Sequence, residues 1–285
     1  MTDRGSAPIA VTRPGLTLHG EVAGEGPAVV ALHGLTAARR YVLHGSRTIE
    51  RSGYRVVAYD ARGHGQSDPA PLPSDYRYPE YADDVIAVLD HLGIDRAILI
   101  GHSMGAHTAA RVALTDPDRV AALVLGAPAH LGRPSDNLPR WDSLALGLEQ
   151  GGPEGMLAAL EPLGIPETWA RSLRTVIVQR LGKHLHPGAV ADALRATPRS
   201  AAFDGLEALA AIRAPTLVVG SRDEVDPDHP LAVAEEYARR IPGARFAVEA
   251  EGEAPLTWRG GALSRTILDF LAGEPWRTSV GSATV

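Results

Sequence analysis

The sequence predicts an α/β protein with a doubly wound, mostly parallel sheet. Short, fully apolar runs rich in β-branched residues, such as 29–32 and 97–100, have the composition of strands buried on both faces. Amphipathic segments with helical spacing alternate with these runs, which places helices on both faces of the sheet. From 129 to 202 the strand signal stops and only short helical segments occur. We therefore predict a helical segment at 129–202, inserted in a core domain of residues 1–128 and 203–285.

The elements follow in order from composition and from the residues that end them. Residues 1–15 are polar and contain Pro and Gly, so we expect a loose arm there. Gly53 and Gly93 end two helices, and Pro117 stops a third. The predicted strands are 16–22, 29–32, 56–59, 97–100, 120–125, 216–220 and 245–248. The predicted core helices are 39–51, 81–92, 106–114, 203–212, 231–241 and 262–271. Those of the segment 129–202 are 142–150, 154–160, 167–181 and 189–196.

Composition excludes several classes of function. The chain has 285 residues, 45% hydrophobic and 22% charged, as in ordinary globular proteins. We expect no membrane span, because no run of eighteen apolar residues occurs, and no signal peptide, because the first residues lack an apolar stretch. The absence of Cys excludes disulfides and thiolate metal sites and fits a cytoplasmic protein. The net charge of −6 gives no reason to expect a nucleic-acid partner.

The chain is organised around the segment Gly101-His102-Ser103-Met104-Gly105. This G-x-S-x-G segment lies between a predicted strand and a predicted helix, which is the context of a nucleophile elbow. The chain must reverse within a few residues, so the neighbours of Ser103 must be small. A helix N-terminus beneath Ser103 would stabilise negative charge that develops on a substrate oxygen. Ser103 is therefore the candidate nucleophile.

The chain resembles the α/β-hydrolase superfamily over about 16–271. The motifs that carry the resemblance are LHGL at 32–35, YDARGHGQSD at 59–68, GHSMG at 101–105 and GSRDEVDP at 220–227. Their order and spacing are specific for the fold and much less specific for the substrate. The resemblance implies an eight-stranded type of sheet, identifies the helical segment 129–202 as a cap that sets access to the site, and implies a small-molecule substrate with no cofactor and no metal.

The resemblance also assigns roles to particular residues. The backbone N–H groups of Leu35 and Met104 would form the oxyanion hole, and Asp223 would be the acid that follows a late strand. The family commonly has His in the loop after the last strand, but this chain has Glu253 there, and no His follows His229.

Three interpretations of this departure are open. Glu253 takes the place of the base, with its pKa adjusted by the neighbouring Asp223. His229, which lies six residues after Asp223, reaches Ser103 instead. In the third interpretation the site performs lyase-like chemistry or only binds a ligand.

The other polar residues of the motifs have supporting roles in this interpretation. Asp60, Arg62 and His64 support the site, and His102 and His107 are structural. His33 and Trp141 are candidate substrate contacts, with His33 also bracing the oxyanion loop. His184 and His186 are expected to be solvated cap residues rather than metal ligands.

The sequence thus predicts a serine hydrolase that cleaves an ester or related acyl bond of a small, mainly apolar substrate. The alternative is a non-hydrolytic enzyme of the same fold or a catalytically silent binding protein. The sequence does not specify an oligomeric state.

Overall fold

The computed structural model describes residues 5–130, 132–160, 167–222 and 228–273, without the side chains of 167–173. Eight strands form one sheet in the order β1-β2-β4-β3-β5-β6-β7-β8. Strand β2 is antiparallel to β1 and β4, and all other neighbouring pairs are parallel. The strands are β1 Ala7–Arg13, β2 Leu16–Ala23, β3 Ala28–Leu32, β4 Arg55–Tyr59, β5 Ala97–His102, β6 Val120–Gly126, β7 Thr216–Val219 and β8 Arg245–Ala247.

Helices lie on both faces of this sheet, so the predicted doubly wound architecture is confirmed. The central strands show why, because their successive side chains enter different clusters. Val30 and Leu99 belong to one buried cluster, whereas Val29 and Ile98 belong to the other. A strand buried on both faces has no polar side, which explains the continuous apolar runs. The α-helices are α1 Thr48–Arg51, α2 Tyr78–His91, α3 Met104–Thr115, α4 Leu138–Leu160, α5 Glu167–Leu181, α6 Pro187–Ala196, α7 Leu231–Arg240 and α8 Gly260–Ala272.

Two predicted elements near the N-terminus are wrong. Residues 7–13 of the expected loose arm form β1, because their backbone pairs with β2 along its whole length. The helix predicted at 39–51 is reduced to a 3-10 turn, Arg39–Tyr41, and the four-residue α1. His44 and Gly45 between them have positive φ of 47° and 73°, which no α-helix accommodates. The helix predicted at 203–212 is also shorter, a 3-10 segment at Leu206–Ala211.

Helices α4, α5 and α6 follow one another between β6 and β7, where the sequence predicts the cap. The described residues of 129–202 form no strand. Helix α4 is kinked at Gly152, which has φ 59°, and the following Pro153 cannot donate to the preceding turn. The helices share a buried apolar cluster formed by Leu144, Ala145, Leu148, Met156, Leu157, Ile177, Leu181, Val190, Ala191 and Leu194. We call α4–α6 the helical insertion.

In the described part of the chain, no helix has both the length and the apolar character needed to cross a bilayer.

A buried ion-pair network fixes the turn between β4 and α2 to the sheet edge. Asp84 of α2 is 1% exposed and accepts hydrogen bonds from Arg62 Nε and Nη2, both at 2.8 Å, and from Arg13 Nε at 3.0 Å. The side-chain hydrogen bonds and charge of Asp84 raise the pKa of Arg62 against the opposing effect of burial. The network supports the expected structural role of Arg62.

Replacing Asp84 by Ala should lower the free energy of unfolding by about 3–5 kcal/mol, because Arg62 is then buried without a counter-charge. The exposed pair Arg119–Asp90, 2.7 Å apart, provides the matched control. Asp90→Ala should cost less than about 1 kcal/mol. Urea unfolding at neutral pH measures both, and equal costs would contradict the role of the network.

Candidate active site

Ser103 lies in a sharp turn between β5 and α3. Its φ of 52° and ψ of −116° are outside the regions that non-glycine residues prefer, so its backbone is strained. Its N–H donates to Gly126 O of the neighbouring strand at 2.9 Å, and its C=O accepts from Ala106 and His107 N–H at 2.9 and 3.1 Å. These bonds hold the half-buried Ser103 at the N-terminus of α3, as the sequence predicts for an elbow.

Two glycines allow the helix to come this close to the sheet. A Cβ on Gly101 would overlap Gly105 O, and a Cβ on Gly105 would overlap Leu32 O of the adjacent strand β3. Any side chain at either position would therefore push α3 away from the strands. The spacing of the motif is a steric requirement of the fold as well as a requirement of chemistry.

The loop after β3 passes directly over Ser103. A Cβ on Gly34 would lie 3.2 Å from Ser103 Cβ, so this loop and the elbow are in near contact. Thr36 adopts φ 66°, and Ala37 N–H donates to Gly34 O at 3.0 Å, which closes a tight turn around Leu35. Met104 is the first residue of α3, so its N–H has no acceptor within the helix. This arrangement suits the oxyanion-hole roles expected for Leu35 and Met104.

His33 braces this loop from inside the protein. It is 2% exposed, its Nδ1 donates to Gly34 O at 2.8 Å, and its Nε2 accepts from Ala61 N–H at 2.9 Å. Both nitrogens are thus used by backbone groups, which favours a positioning role over substrate contact. Trp141 is half-buried, donates from Nε1 to Ser135 Oγ at 3.1 Å, and packs against the apolar cluster of the helical insertion.

His184 is not the solvated residue that the sequence suggests. Its Nδ1 accepts from Gly65 N–H at 2.8 Å and its Nε2 donates to Thr36 O at 3.0 Å, so it links the helical insertion to both loops beside the site. Its ring is 5.6 Å from that of buried His64, which is 5.1 Å from that of His33. Burial lowers the pKa of His184 to about 4, and burial also lowers those of His33 and His64. Among the described residues no such cluster has the geometry of a metal site.

A second pair of histidines lies behind the elbow. His107 of α3 is fully buried, as expected, and stacks on His130 with ring centroids 3.5 Å apart. His107 Nε2 accepts from Ala129 N–H at 3.2 Å, so its Nδ1 donates to the Tyr237 hydroxyl at 2.8 Å. Tyr237 in turn donates to His130 O at 2.9 Å. Burial lowers the pKa of His130 to about 4, and the neutral stack anchors α3 to α7 and to the start of the helical insertion.

Among the candidate bases, His229 is adjacent to the elbow. Its ring lies 5.5 Å from that of His102, the residue before Ser103. His102 is half-buried, with Nδ1 3.3 Å from the position of a Cβ on Gly34, so its ring also lies beside the loop over Ser103. The loop of His229 is tied to α4 by an ion pair of 2.6 Å between Arg140 and Asp228.

Glu253 forms a different set of contacts. Its carboxylate pairs with Arg259 at 2.9 Å, and 49% of its side chain is exposed. The Glu253 carboxylate is thus engaged with a guanidinium group. Asp223, the acid expected from the sequence, lies outside the described residues.

Glu249 connects the two loops that carry these candidates. It is 3% exposed, and its carboxylate accepts from Arg222 N–H at 2.6 Å and from Leu256 N–H at 2.9 Å. Arg222 immediately precedes Asp223, and Leu256 follows Glu253 by three residues. The buried carboxylate therefore fixes the spacing of the loops after β7 and β8.

The family described as the alpha/beta hydrolase fold matches residues 27–258. The chain belongs to the α/β hydrolase family. A putative carbamate hydrolase, RutD, of Variovorax paradoxus is 30% identical over 262 residues, which covers 90% of this chain and 97% of that protein. Epoxide hydrolase 2 of Siraitia grosvenorii is 40% identical over 114 residues, only 40% of this chain and 36% of the enzyme.

The enol-lactonase of Burkholderia xenovorans LB400 has the same fold, with a TM-score of 0.73, 24% identity and coverage of 93% of this chain and 100% of that chain. The two sequence relatives of this α/β hydrolase described above are named as hydrolases, which supports the same broad class for this protein.

Sequence patterns miss three residues of this α/β hydrolase site. Glu249 looks like one acid among several in a loop, and His184 acts through loops more than a hundred residues away. Arg180 of α5 contributes positive charge that, after burial, helps to lower the pKa of His33, His44 and His184. No local spacing predicts such contacts, because they arise only when the helical insertion packs on the core.

The buried histidines should make the protein sensitive to acid. Their folded-state pKa values lie below 6.5, so the unfolded chain binds more protons between about pH 6.5 and 4. The free energy of unfolding should be highest above pH 6.5 and should decrease as the pH is lowered from 6.5 to about 4. His184→Gln should reduce that loss by about 2 kcal/mol. Urea unfolding at pH 7 and 4.5 tests this. The His91→Gln variant, at an exposed histidine, is the control for the substitution itself.

Glu249→Gln should loosen both loops, because an amide offers one carbonyl oxygen to two backbone N–H groups and turns its own N–H₂ toward the other. Hydrogen exchange at the amides of Arg222 and Leu256 should accelerate by about tenfold or more, given a lost charged hydrogen bond. Exposed Glu251→Gln is the matched control. Unchanged exchange in Glu249→Gln would show that the carboxylate does not hold the loops.

Proposed function

We propose that this protein is a serine hydrolase that cleaves an ester or related acyl bond of a small, mainly apolar substrate. The observation that carries the proposal is the strained backbone of Ser103 at the start of α3, directly below the Gly34 loop. Strain of this kind persists where the surrounding structure enforces it and is typical of catalytic sites. No cofactor is part of the proposed chemistry.

In the proposed mechanism Ser103 Oγ attacks the substrate carbonyl carbon. The negative charge that moves to the carbonyl oxygen is stabilised by the N–H groups of Leu35 and Met104 and by the N-terminus of α3. The proton of Ser103 passes to a base, which then returns it to the leaving group. In the second half of the reaction the base takes a proton from water, whose oxygen attacks the acyl carbon. The base then returns the proton to Ser103 Oγ, and the acid product leaves.

We assign the base to His229. It lies beside His102, next to the nucleophile, whereas the Glu253 carboxylate is directed to Arg259. Histidine is also the residue type whose protonation most readily changes near neutral pH, which makes it a better proton acceptor for a serine than a carboxylate. Asp223, six residues earlier in the same loop, is proposed to orient His229.

The helical insertion is proposed to act as a cap that shapes an apolar binding space. Leu35 packs against the apolar cluster of the insertion, and Trp141 belongs to the same cluster. The substrate therefore enters between the oxyanion loop and largely hydrocarbon surface. The name of the carbamate-hydrolase relative supports an acyl bond and adds carbamates to the esters as substrates to test.

The competing proposal is a silent binding protein or a lyase-like enzyme. It is favoured by one observation, the Glu253–Arg259 ion pair at the place where the family commonly has His. The two proposals differ in whether Ser103 reacts covalently.

A fluorophosphonate probe should label the wild-type protein, and Ser103→Ala should abolish labelling. Turnover of short p-nitrophenyl esters should fall about 10²-fold or more in His229→Ala, because a positioned general base typically supplies 10²–10⁴-fold. Glu253→Gln, which only breaks an exposed ion pair, should retain activity within about threefold. A wild-type protein that is not labelled and has no turnover would favour the silent protein. Loss of activity in Glu253→Gln but not in His229→Ala would show that Glu253, and not His229, is the general base.

A further inference from the structure

We propose that a cleft on the face of the sheet, lined by residues of β2, β3 and β4 and separate from the candidate active site, binds a small organic monoanion with an apolar part. The cleft has a volume of about 570 Å³, within the usual range for small-molecule sites. Neither Ser103 nor Met104 nor His229 lines it. The proposal is thus independent of the serine chemistry.

The cleft exists because a helix is missing over this part of the sheet. The segment after β3 forms only short turns between residues 38 and 47, and Val56 and Ala58 of β4 are only partly buried beneath it. The floor and inner wall are apolar and formed by Ala23, Ala31, Ala38, Leu43, Val56 and Ala58. Small apolar side chains on a concave surface favour a flat or branched hydrocarbon group.

The charges around the rim are not balanced. Arg39 pairs with Asp60, and Arg47 pairs with Glu50 at 2.7 Å. Arg40 and Lys183 also line the cleft, yet no carboxylate among the described residues lies within ion-pair distance of either. Within the described ranges Arg40 and Lys183 have no carboxylate partner, even though acidic residues outnumber basic ones in the chain, whose net charge is −6.

This charge pattern selects the class of ligand. Two uncompensated cations above an apolar floor complement a carboxylate or sulfonate that is attached to a hydrocarbon group. Glu21, which accepts from Ser6 Oγ at 3.0 Å, adds a negative charge to the same cleft. A second negative charge on the ligand would face this carboxylate, so a monoanion fits better than a dianion.

The two cations belong to different parts of the protein. Arg40 follows the oxyanion loop of the core, whereas Lys183 lies in the turn between α5 and α6, next to His184. An anion bound to both would bridge the core and the helical insertion. Binding should therefore stabilise the contact that His184 already makes with the two core loops.

The test uses 8-anilinonaphthalene-1-sulfonate, an aromatic monosulfonate whose fluorescence rises in apolar surroundings. Titration of the wild-type protein, with Ser103 blocked by a fluorophosphonate or replaced by Ala, should show one saturable site. Arg40→Ala and Lys183→Ala should each raise its Kd about threefold to fivefold, as expected for one exposed ion pair. Arg213→Ala, at an exposed arginine outside the cleft, should leave the Kd unchanged. Ala58→Phe, which fills the floor, should abolish the site.

Three results would overturn the proposal. The first is no saturable binding by the wild-type protein. The second is a Kd that is unchanged in both cation variants or raised equally by Arg213→Ala. The third is equal affinity for N-phenyl-1-naphthylamine, the uncharged analogue of the probe, because the cations would then contribute nothing.

Discussion

The close approach of α3 to the sheet is the contact on which the rest of the site depends. Gly101 and Gly105 let backbone touch backbone, and Ser103 between them has no room for a relaxed conformation. The same approach brings the start of α3 under the loop of Gly34, so the candidate nucleophile and the candidate oxyanion donors lie close together. A side chain at either glycine would move the helix, and this movement would separate Ser103 from the candidate oxyanion donors. The proposed reactivity of Ser103 and the packing of α3 would therefore have the same steric origin.

The elements that are defined by a local hydrophobic pattern can be predicted from the sequence. The strands β3 and β5 are recognisable because burial on both faces requires uninterrupted apolar residues. The helix predicted at 39–51 is wrong because its composition permits a helix, whereas His44 and Gly45 adopt positive φ values that no local pattern of the sequence indicates. Strand β1 is missed for a similar reason, since an exposed edge strand is defined by its partner β2. The elbow is predictable, whereas the contact between His102 and His229 joins loops that only the sheet brings together.

The histidines of this chain show how burial decides what a titratable residue does. His33, His107 and His184 use both ring nitrogens as fixed hydrogen-bond donors and acceptors, so they act as neutral connectors between segments. Such connectors need an uncharged ring, which burial provides by lowering the pKa. His229 is half-buried, and its ring lies beside that of His102. One residue type thus supplies both the scaffold and the proposed base.

Lys183 has a practical consequence for handling the protein. It is the only lysine, there is no cysteine, and it is exposed at the turn between α5 and α6. Reagents that acylate amines find a single side chain on this surface. A dye or a solid support coupled to the Lys183 side chain, with the N-terminal amine blocked beforehand, would report on, or restrain, the junction between the helical insertion and the core, which is the part that is proposed to control access.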